Sequence, residues 1–235
     1  MTASRREFIK HLLILGSAVA CPSPALWAAK EKSPRWSPAY LKLAQNGELA
    51  ARATAAYAVF EECRLCPREC GVNRLKGERG FCRATAQLMV YTAQPHYGEE
   101  ISLVGTHGSG TVFFSNCNLR CVFCQNWPIA HEGRGEAISD DRLADIMLRL
   151  QQIGCHNINL VTPTHVMPNI VNAVQIACAK GLRLPLVYNT SGFERVEMLQ
   201  LLEGIVDIYL PDMKYMRSDT ASIHLGGAVD YPEVS

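Results

Sequence analysis

From residue 106 onward, short apolar runs alternate with segments whose apolar residues recur at helical spacing. The runs at 111–115, 157–161, 184–188 and 205–210 predict strands, and the first of them is expected to be buried. The segments between them predict one helix each, and a glycine ends each helix: Gly154, Gly181 and Gly204. Strands joined by single helices pair in parallel through right-handed crossovers. The pattern therefore predicts an α/β fold that forms part of a parallel (β/α) barrel of the TIM type.

The residues before this alternating region differ in composition from one segment to the next. A proline-rich linker is followed by two short helices, which are separated by a break at Asn46-Gly47. Four cysteines come next. The predicted domains are a signal segment at 1–29, a linker with short helices at 30–62, a four-cysteine metal-binding region at 63–105 and the barrel domain at 106–235.

Three closely spaced cysteines are the most specific chemical signal in the chain. Cys117, Cys121 and Cys124 have the spacing C-x3-C-x2-C and directly follow the strand predicted at 111–115. Three thiolates this close together can hold one metal centre. A [4Fe–4S] cluster held by three cysteines, one fewer than in ferredoxins, keeps one iron open for chemistry. The alternative is zinc bound by the same cysteines and His131.

This loop and several neighbouring segments resemble the radical S-adenosylmethionine (SAM) enzymes, in particular the pyruvate formate-lyase activating enzyme-like branch. The similar segments are Cys63–Cys70, Gly77–Cys82, Gly108–Asn126, His156–His165, Tyr188–Gly192 and Tyr209–Lys214. The resemblance implies a [4Fe–4S] cluster on Cys117, Cys121 and Cys124, with SAM chelated to its open iron. It also implies reductive cleavage of SAM to methionine and a 5′-deoxyadenosyl radical, which removes hydrogen from a substrate. By analogy, that substrate is a protein that receives a glycyl radical.

Polar and aromatic residues at the predicted carboxyl ends of the strands are candidate cofactor contacts. In barrels of this type the functional groups lie at these ends, and the resemblance implies that SAM is contacted there. The candidates are Phe123, Thr162, Asn189, Ser191, Asp212 and Lys214. Core packing is the alternative role for Phe123, and a solvated strand-end pair is the alternative for Asp212 and Lys214.

The number of strand–helix units also matters for the predicted cavity. The resembling enzymes have more units than the four that precede Ser235 in this pattern. We therefore expect a barrel that is truncated at its carboxyl end and a substrate cavity that is incomplete.

A second set of cysteines precedes the barrel. Cys63, Cys66, Cys70 and Cys82 have the spacing C-x2-C-x3-C-x11-C, which is typical of a structural zinc site. A second iron–sulfur cluster is the alternative. Disulfides are expected here only if the protein is exported.

Twin arginines mark the beginning of the chain. Arg5 and Arg6 precede an apolar stretch from Leu12 to Ala20, which is too short to span a bilayer as a helix. This pattern predicts a twin-arginine (Tat) export signal and a periplasmic or membrane-attached protein. A cytoplasmic location is the alternative, because SAM and low-potential reductants such as flavodoxin or ferredoxin are cytosolic.

Composition narrows the remaining function classes. The formal net charge is +1, so bulk electrostatics do not indicate nucleic-acid binding. The leading hypothesis is a radical SAM enzyme, with a protein as one possible substrate. The alternatives are a non-catalytic iron–sulfur or electron-transfer protein exported by the Tat route, and a zinc-dependent scaffold.

Overall fold

The computed structural model of the protein describes residues 36–235. The Tat-like segment at 1–29 and Cys21 lie outside the described residues. The strands are β1 (Leu88–His96), β2 (Ser109–Phe114), β3 (Glu136–Ile138), β4 (Ile158–Val161), β5 (Leu186–Thr190) and β6 (Ile208–Pro211). The α-helices are α1 (Tyr40–Gln45), α2 (Glu48–Ala58), α3 (Ile101–Val104), α4 (Trp127–Ala130), α5 (Asp140–Ile153), α6 (Met167–Ala179), α7 (Val196–Leu202), α8 (Ser218–His224) and α9 (Tyr231–Val234). Short 3-10 turns occupy Arg74–Lys76 and Thr164–Val166.

The six strands form one mostly parallel sheet in the order β3-β1-β2-β4-β5-β6. Strands β2, β4, β5 and β6 are parallel neighbours, joined through α5, α6 and α7. These are the four strands that the apolar runs predict, so the α/β fold is confirmed. The closure of this sheet into a barrel stays a prediction.

Two strands were not predicted from the sequence. Strand β1 pairs antiparallel with both β2 and β3. Its sequence mixes polar residues and Pro95 with apolar ones, which hides the alternation that would mark a strand. Strand β1 therefore contributes part of the segment 63–105 to the same sheet as the predicted barrel strands.

The predicted boundaries of the last two strands and helix α7 need correction. Strand β6 begins at Ile208, although the apolar run begins at Ile205. Ile205 and Val206 are apolar because they are buried in the turn after α7, where both amides bond to the Leu202 carbonyl. Strand β5 begins at Leu186, after Pro185, although the apolar run begins at 184. The sequence pattern predicts a helix over 194–203, but α7 begins at Val196, because Glu194 turns into the interior.

The predicted helix ends are confirmed at two places. Gly47 separates α1 from α2 with φ +78°, a conformation that glycine adopts without strain. The Ser139 hydroxyl accepts a hydrogen bond from the Arg142 amide at the start of α5, and Gly154 ends this helix with φ +98°.

The two faces of the sheet have different coverings. Helices α5 and α6 pack against each other, α2 packs on α6, and together they bury the apolar side chains of one face, such as Ile158 and Leu160. The connection between β1 and β2 contacts the other face, where the Asn157 side chain donates to the Leu103 carbonyl oxygen at 2.7 Å. No helix in the described part of the chain is long and apolar enough to cross a membrane.

Candidate active site

A cavity of about 550 Å³ lies at the carboxyl ends of the parallel strands. All three cysteines of the C-x3-C-x2-C loop line it, and so do all six predicted cofactor contacts: Phe123, Thr162, Asn189, Ser191, Asp212 and Lys214. The parallel topology brings these residues together, because it places the carboxyl ends of neighbouring strands at one edge of the sheet. Their individual roles as ligands stay predictions.

The cysteine loop has a tightly turned backbone. Asn116 and Arg120 adopt left-handed conformations, with φ +74° and +53°. Asn116 also donates its amide hydrogen to the Ile129 carbonyl oxygen at 2.9 Å, which fixes the loop against α4. Asparagine tolerates such unusual backbone angles better than most residues, which suits Asn116 to the entrance of the loop.

The loop thiols have the chemistry of a metal-ligand set. All three cysteines are free, and burial raises the pKa of Cys117 and raises the pKa of Cys121 to about 12. Backbone amides of Leu119 and Arg120 oppose this shift at Cys117, and the Leu119 nitrogen lies 3.4 Å from the sulfur. Cysteine binds iron as a thiolate. The positive charge of bound iron would stabilise the thiolate form, which burial alone disfavours. The donor set fits an iron–sulfur cluster.

The alternative zinc ligand His131 lies apart from this cavity wall. Its Nε2 is 3.0 Å from the Cys121 carbonyl oxygen, and its ring stacks on Trp127 at a centroid distance of 3.6 Å. In the described residues, His131 does not join the three loop cysteines in an arrangement that could hold a single metal ion. The observed contacts of His131 are structural ones that brace the start of α4.

A buried tyrosine organises the wall formed by the last strand. The Lys214 ammonium lies 2.8 Å from an Asp212 carboxylate oxygen, so these two predicted contacts pair with each other. The Tyr231 hydroxyl accepts from the Lys214 amide and lies within 2.8 Å of the Ser191 and Asp212 carbonyl oxygens. Tyr231 therefore joins three predicted site residues, although no motif in the sequence singles it out.

A second residue that sequence reasoning missed is Glu99. It lines the cavity from the β1–β2 connection, and its Oε2 accepts from the side-chain amides of Asn159 at 2.8 Å and Asn189 at 3.1 Å. The predicted SAM contact Asn189 thus holds a carboxylate in the structure. No spacing or periodicity in the sequence points to Glu99.

Behind the cavity, Thr164 and His165, which closely follow the cavity residue Thr162, have structural roles. The hydroxyls of Thr164 and Thr190 both donate to the carboxyl group of Glu194, and burial raises the pKa of this group to about 7. Burial lowers the pKa of His165 to about 4, so the ring is neutral and donates from Nε2 to the Ser115 carbonyl oxygen at 2.8 Å. His165 is therefore a hydrogen-bonded structural histidine.

Comparison with protein families bears directly on this site. The model of the radical SAM superfamily matches residues 111–225, which include the cysteine loop and all six predicted contacts. This match supports the radical SAM superfamily. This superfamily consists of enzymes that use a [4Fe–4S] cluster and SAM. The match does not distinguish the activating-enzyme branch from others.

Two curated relatives come from Methanocaldococcus jannaschii. The uncharacterized protein MJ0674 is 34% identical over 165 residues, which cover 67% of this chain and 46% of the relative. The uncharacterized protein MJ0808 is 31% identical over 81 residues, which cover 29% of this chain and 24% of the relative. The chain therefore spans less than half the length of either relative.

The four cysteines that precede the parallel strands face one small cavity. Cys63, Cys66, Cys70 and Cys82 line a space of about 10 Å³, roughly the volume that one water molecule needs. Backbone amides of Arg68, Phe81 and Ala84 point at three of the sulfurs. Amide-to-sulfur hydrogen bonds of this kind stabilise thiolates in metal sites.

Arg68 connects the four-cysteine region to the C-x3-C-x2-C loop. Its guanidinium donates to the carbonyl oxygens of Asn118 at 3.3 Å and Leu225 at 3.0 Å. The same group lies 3.8 Å from the ring centroid of Phe81 and 5.3 Å from that of Phe193. One side chain thus holds the two cysteine-bearing segments together.

Proposed function

We propose that this protein binds a [4Fe–4S] cluster through Cys117, Cys121 and Cys124, binds SAM in the adjoining cavity and uses both to oxidise a substrate. The observation that carries the proposal is the joining of three free thiols, two of them buried, and six predicted cofactor contacts around one cavity. When bound, the reduced cluster supplies the electron that splits the SAM sulfonium into methionine and a 5′-deoxyadenosyl radical. A flavodoxin or ferredoxin is the class of reductant that would deliver this electron.

The side chains around the cavity have separable tasks. Phe123 is about half exposed at the rim, and its ring meets that of Tyr215 edge to face, so this pair offers apolar surface for a purine ring. The Lys214–Asp212 pair offers one cation and one anion to the charged groups of SAM. Tyr231 fixes the backbone beside both, which keeps these groups in place without occupying the cavity.

We further propose that the substrate is a protein, and that the enzyme is of the pyruvate formate-lyase activating type, installing a glycyl radical. The support is the set of segments that resemble this branch, together with exposed apolar side chains near the loop. Val122, Met213 and Met216 are exposed by 57%, 49% and 78%. Large exposed apolar side chains grouped near a site are typical of a surface that meets a macromolecule.

For the four-cysteine region we propose a single structural zinc ion. The shared space of about 10 Å³ favours one ion over a cluster, and the amide-to-sulfur contacts favour thiolates. The four side chains would close around the ion when it binds. Zinc and iron contents of protein purified without oxygen test this assignment. One zinc per chain is expected, and iron that depends on Cys63 would contradict it.

The experiment for the main proposal measures the cluster and SAM binding together. After anaerobic reconstitution and reduction, we expect a cluster signal in electron paramagnetic resonance that changes when SAM is added. Cys117→Ala should lose this signal, whereas Cys178→Ala, which alters a buried cysteine on α6, should keep it. A cluster whose signal does not respond to SAM would contradict the proposal and favour an electron-transfer protein.

A further inference from the structure

One wall of the cavity comes from the β1–β2 connection and carries a carboxylate with a fixed orientation. Glu99 lines the cavity together with the three loop cysteines. Its Oε2 accepts from the side-chain amides of Asn159 and Asn189, which lie on the adjacent strands β4 and β5. Both donors come from strands of the sheet, so the carboxylate cannot swing freely.

The second oxygen of this carboxylate remains available to a ligand. Among residues 36–235, neither a hydrogen-bond donor nor a cationic side chain contacts Oε1 of Glu99. Beside it, Asn159 is fully buried and its Oδ1 has no hydrogen-bond partner in the described chain. Asn159 does not line the cavity, so it serves Glu99 as a hydrogen-bond donor from behind the cavity wall.

The other charges around the cavity favour a cationic ligand. Lys214 is already paired with Asp212, while Glu100 adds a second carboxylate to the wall that carries Glu99. His96 also lines the cavity, from the end of β1. A carboxylate or phosphate ligand placed beside Glu99 would meet like charge, whereas an ammonium or guanidinium would meet opposite charge and the Oε1 acceptor.

We propose that Glu99 is a substrate-binding residue, which receives an ammonium or guanidinium group of the substrate through Oε1. Asn159 and Asn189 are its positioning residues. This inference rests on the proposed function, because it treats the cavity as the place where substrate meets the radical chemistry. It narrows the substrate to molecules or peptide segments that carry a cationic group.

Matched pairs of small probes test the inference on anaerobically reconstituted protein. Nα-acetyl-arginine amide and Nα-acetyl-citrulline amide differ only in the charged end of the side chain, and the acetyl amides of lysine and norleucine form a second pair. Dissociation constants are measured by ligand-observed NMR. For at least one pair, the wild-type protein should bind the cation about tenfold more tightly, as expected for one charge-assisted hydrogen bond.

Two variants separate a specific contact from general charge. Glu99→Gln keeps the acceptor for both asparagine amides and should reduce the preference for the cation to less than about twofold. Glu100→Gln removes a neighbouring carboxylate that neither asparagine contacts, and it should keep the preference. Thermal unfolding of each variant checks that the fold is intact.

Three results would overturn the inference: no preference for either cation in the wild-type protein, an equal loss in Glu99→Gln and Glu100→Gln, or a parallel weakening of SAM itself in Glu99→Gln. The last result would assign the carboxylate to the SAM site. SAM cleavage by the wild-type protein is measured separately. Its failure alongside a Glu99-dependent preference would reject the proposed function and leave the cation site standing.

Discussion

Arg68 provides the sharpest test of how the two cysteine-bearing regions depend on each other. Replacing Arg68 with Met keeps an unbranched apolar stem and removes the guanidinium. The lost contacts are hydrogen bonds to the Asn118 and Leu225 carbonyl oxygens and the stacking on Phe81. Because Asn118 lies between two predicted cluster ligands, the change should loosen the loop as well as the fold.

The expected magnitude follows from these contacts. Hydrogen bonds from a charged donor contribute about 1.5–3 kcal/mol each, and a partly buried cation over an aromatic ring contributes about 0.5–2 kcal/mol. Since Arg68 is partly exposed and the terms are not additive, we expect Arg68→Met to lower the free energy of unfolding by about 3–4 kcal/mol. Arg68→Lys keeps the charge but cannot reach both carbonyls, so about half of the loss should remain.

The assay combines urea unfolding of the protein with the iron content after anaerobic reconstitution. Arg64→Met is the matched control, because Arg64 is 58% exposed and its contact to Glu62 is long, at 3.9 Å. That change should cost less than about 0.5 kcal/mol and leave the iron content unchanged. If Arg68→Met matched Arg64→Met in both stability and iron content, the proposed coupling through Arg68 would be wrong.

Two further predictions concern the interior around the site. Burial raises the pKa of Glu194 to about 7. Between about pH 4.5 and 7 the folded state therefore binds one more proton than the unfolded state. The free energy of unfolding should fall as the pH rises through this window. This fall amounts to at most about 3 kcal/mol, and Glu194→Gln should remove most of it. Urea unfolding at pH 5 and pH 8 measures the change. A pH dependence that is unchanged in Glu194→Gln would contradict the prediction. Gly226 has φ +60°, and an added Cβ would lie 2.7 Å from the Phe81 ring and 2.8 Å from the Leu119 carbonyl oxygen. Gly226→Ala should therefore lower the unfolding free energy by about 2 kcal/mol or more, whereas Gly227→Ala, which has a similar φ and open space, should cost less.

Strands β2, β4, β5 and β6 could be predicted from the sequence because each has a continuous apolar run, which in β2, β4 and β5 reflects burial on both faces. Strand β1 could not, since it lies near the edge of the sheet and mixes Pro95 with polar residues. The predicted start of β6 was wrong for a related physical reason. Ile205 is apolar through its burial in a turn, and hydrophobicity alone does not separate a buried turn from a strand.

The residues of the candidate site also fall into two groups, those that the sequence predicts and those that it does not. The loop cysteines and the strand-end residues were predictable because parallel topology forces the carboxyl ends of strands together. Glu99, Tyr231 and Arg68 were not, because each reaches the site from a segment distant in sequence and through contacts that only the folded chain creates. Their side chains hold or orient the residues that carry the motif.

The most direct test of the central claim is reductive SAM cleavage by the anaerobically reconstituted protein, with dithionite as reductant and 5′-deoxyadenosine as the product measured. We expect 5′-deoxyadenosine from the wild-type protein and from Cys178→Ala, and none above background from Cys117→Ala. If wild-type protein carrying a full [4Fe–4S] cluster produced no more 5′-deoxyadenosine than Cys117→Ala, the assignment of radical SAM chemistry to this site would be wrong.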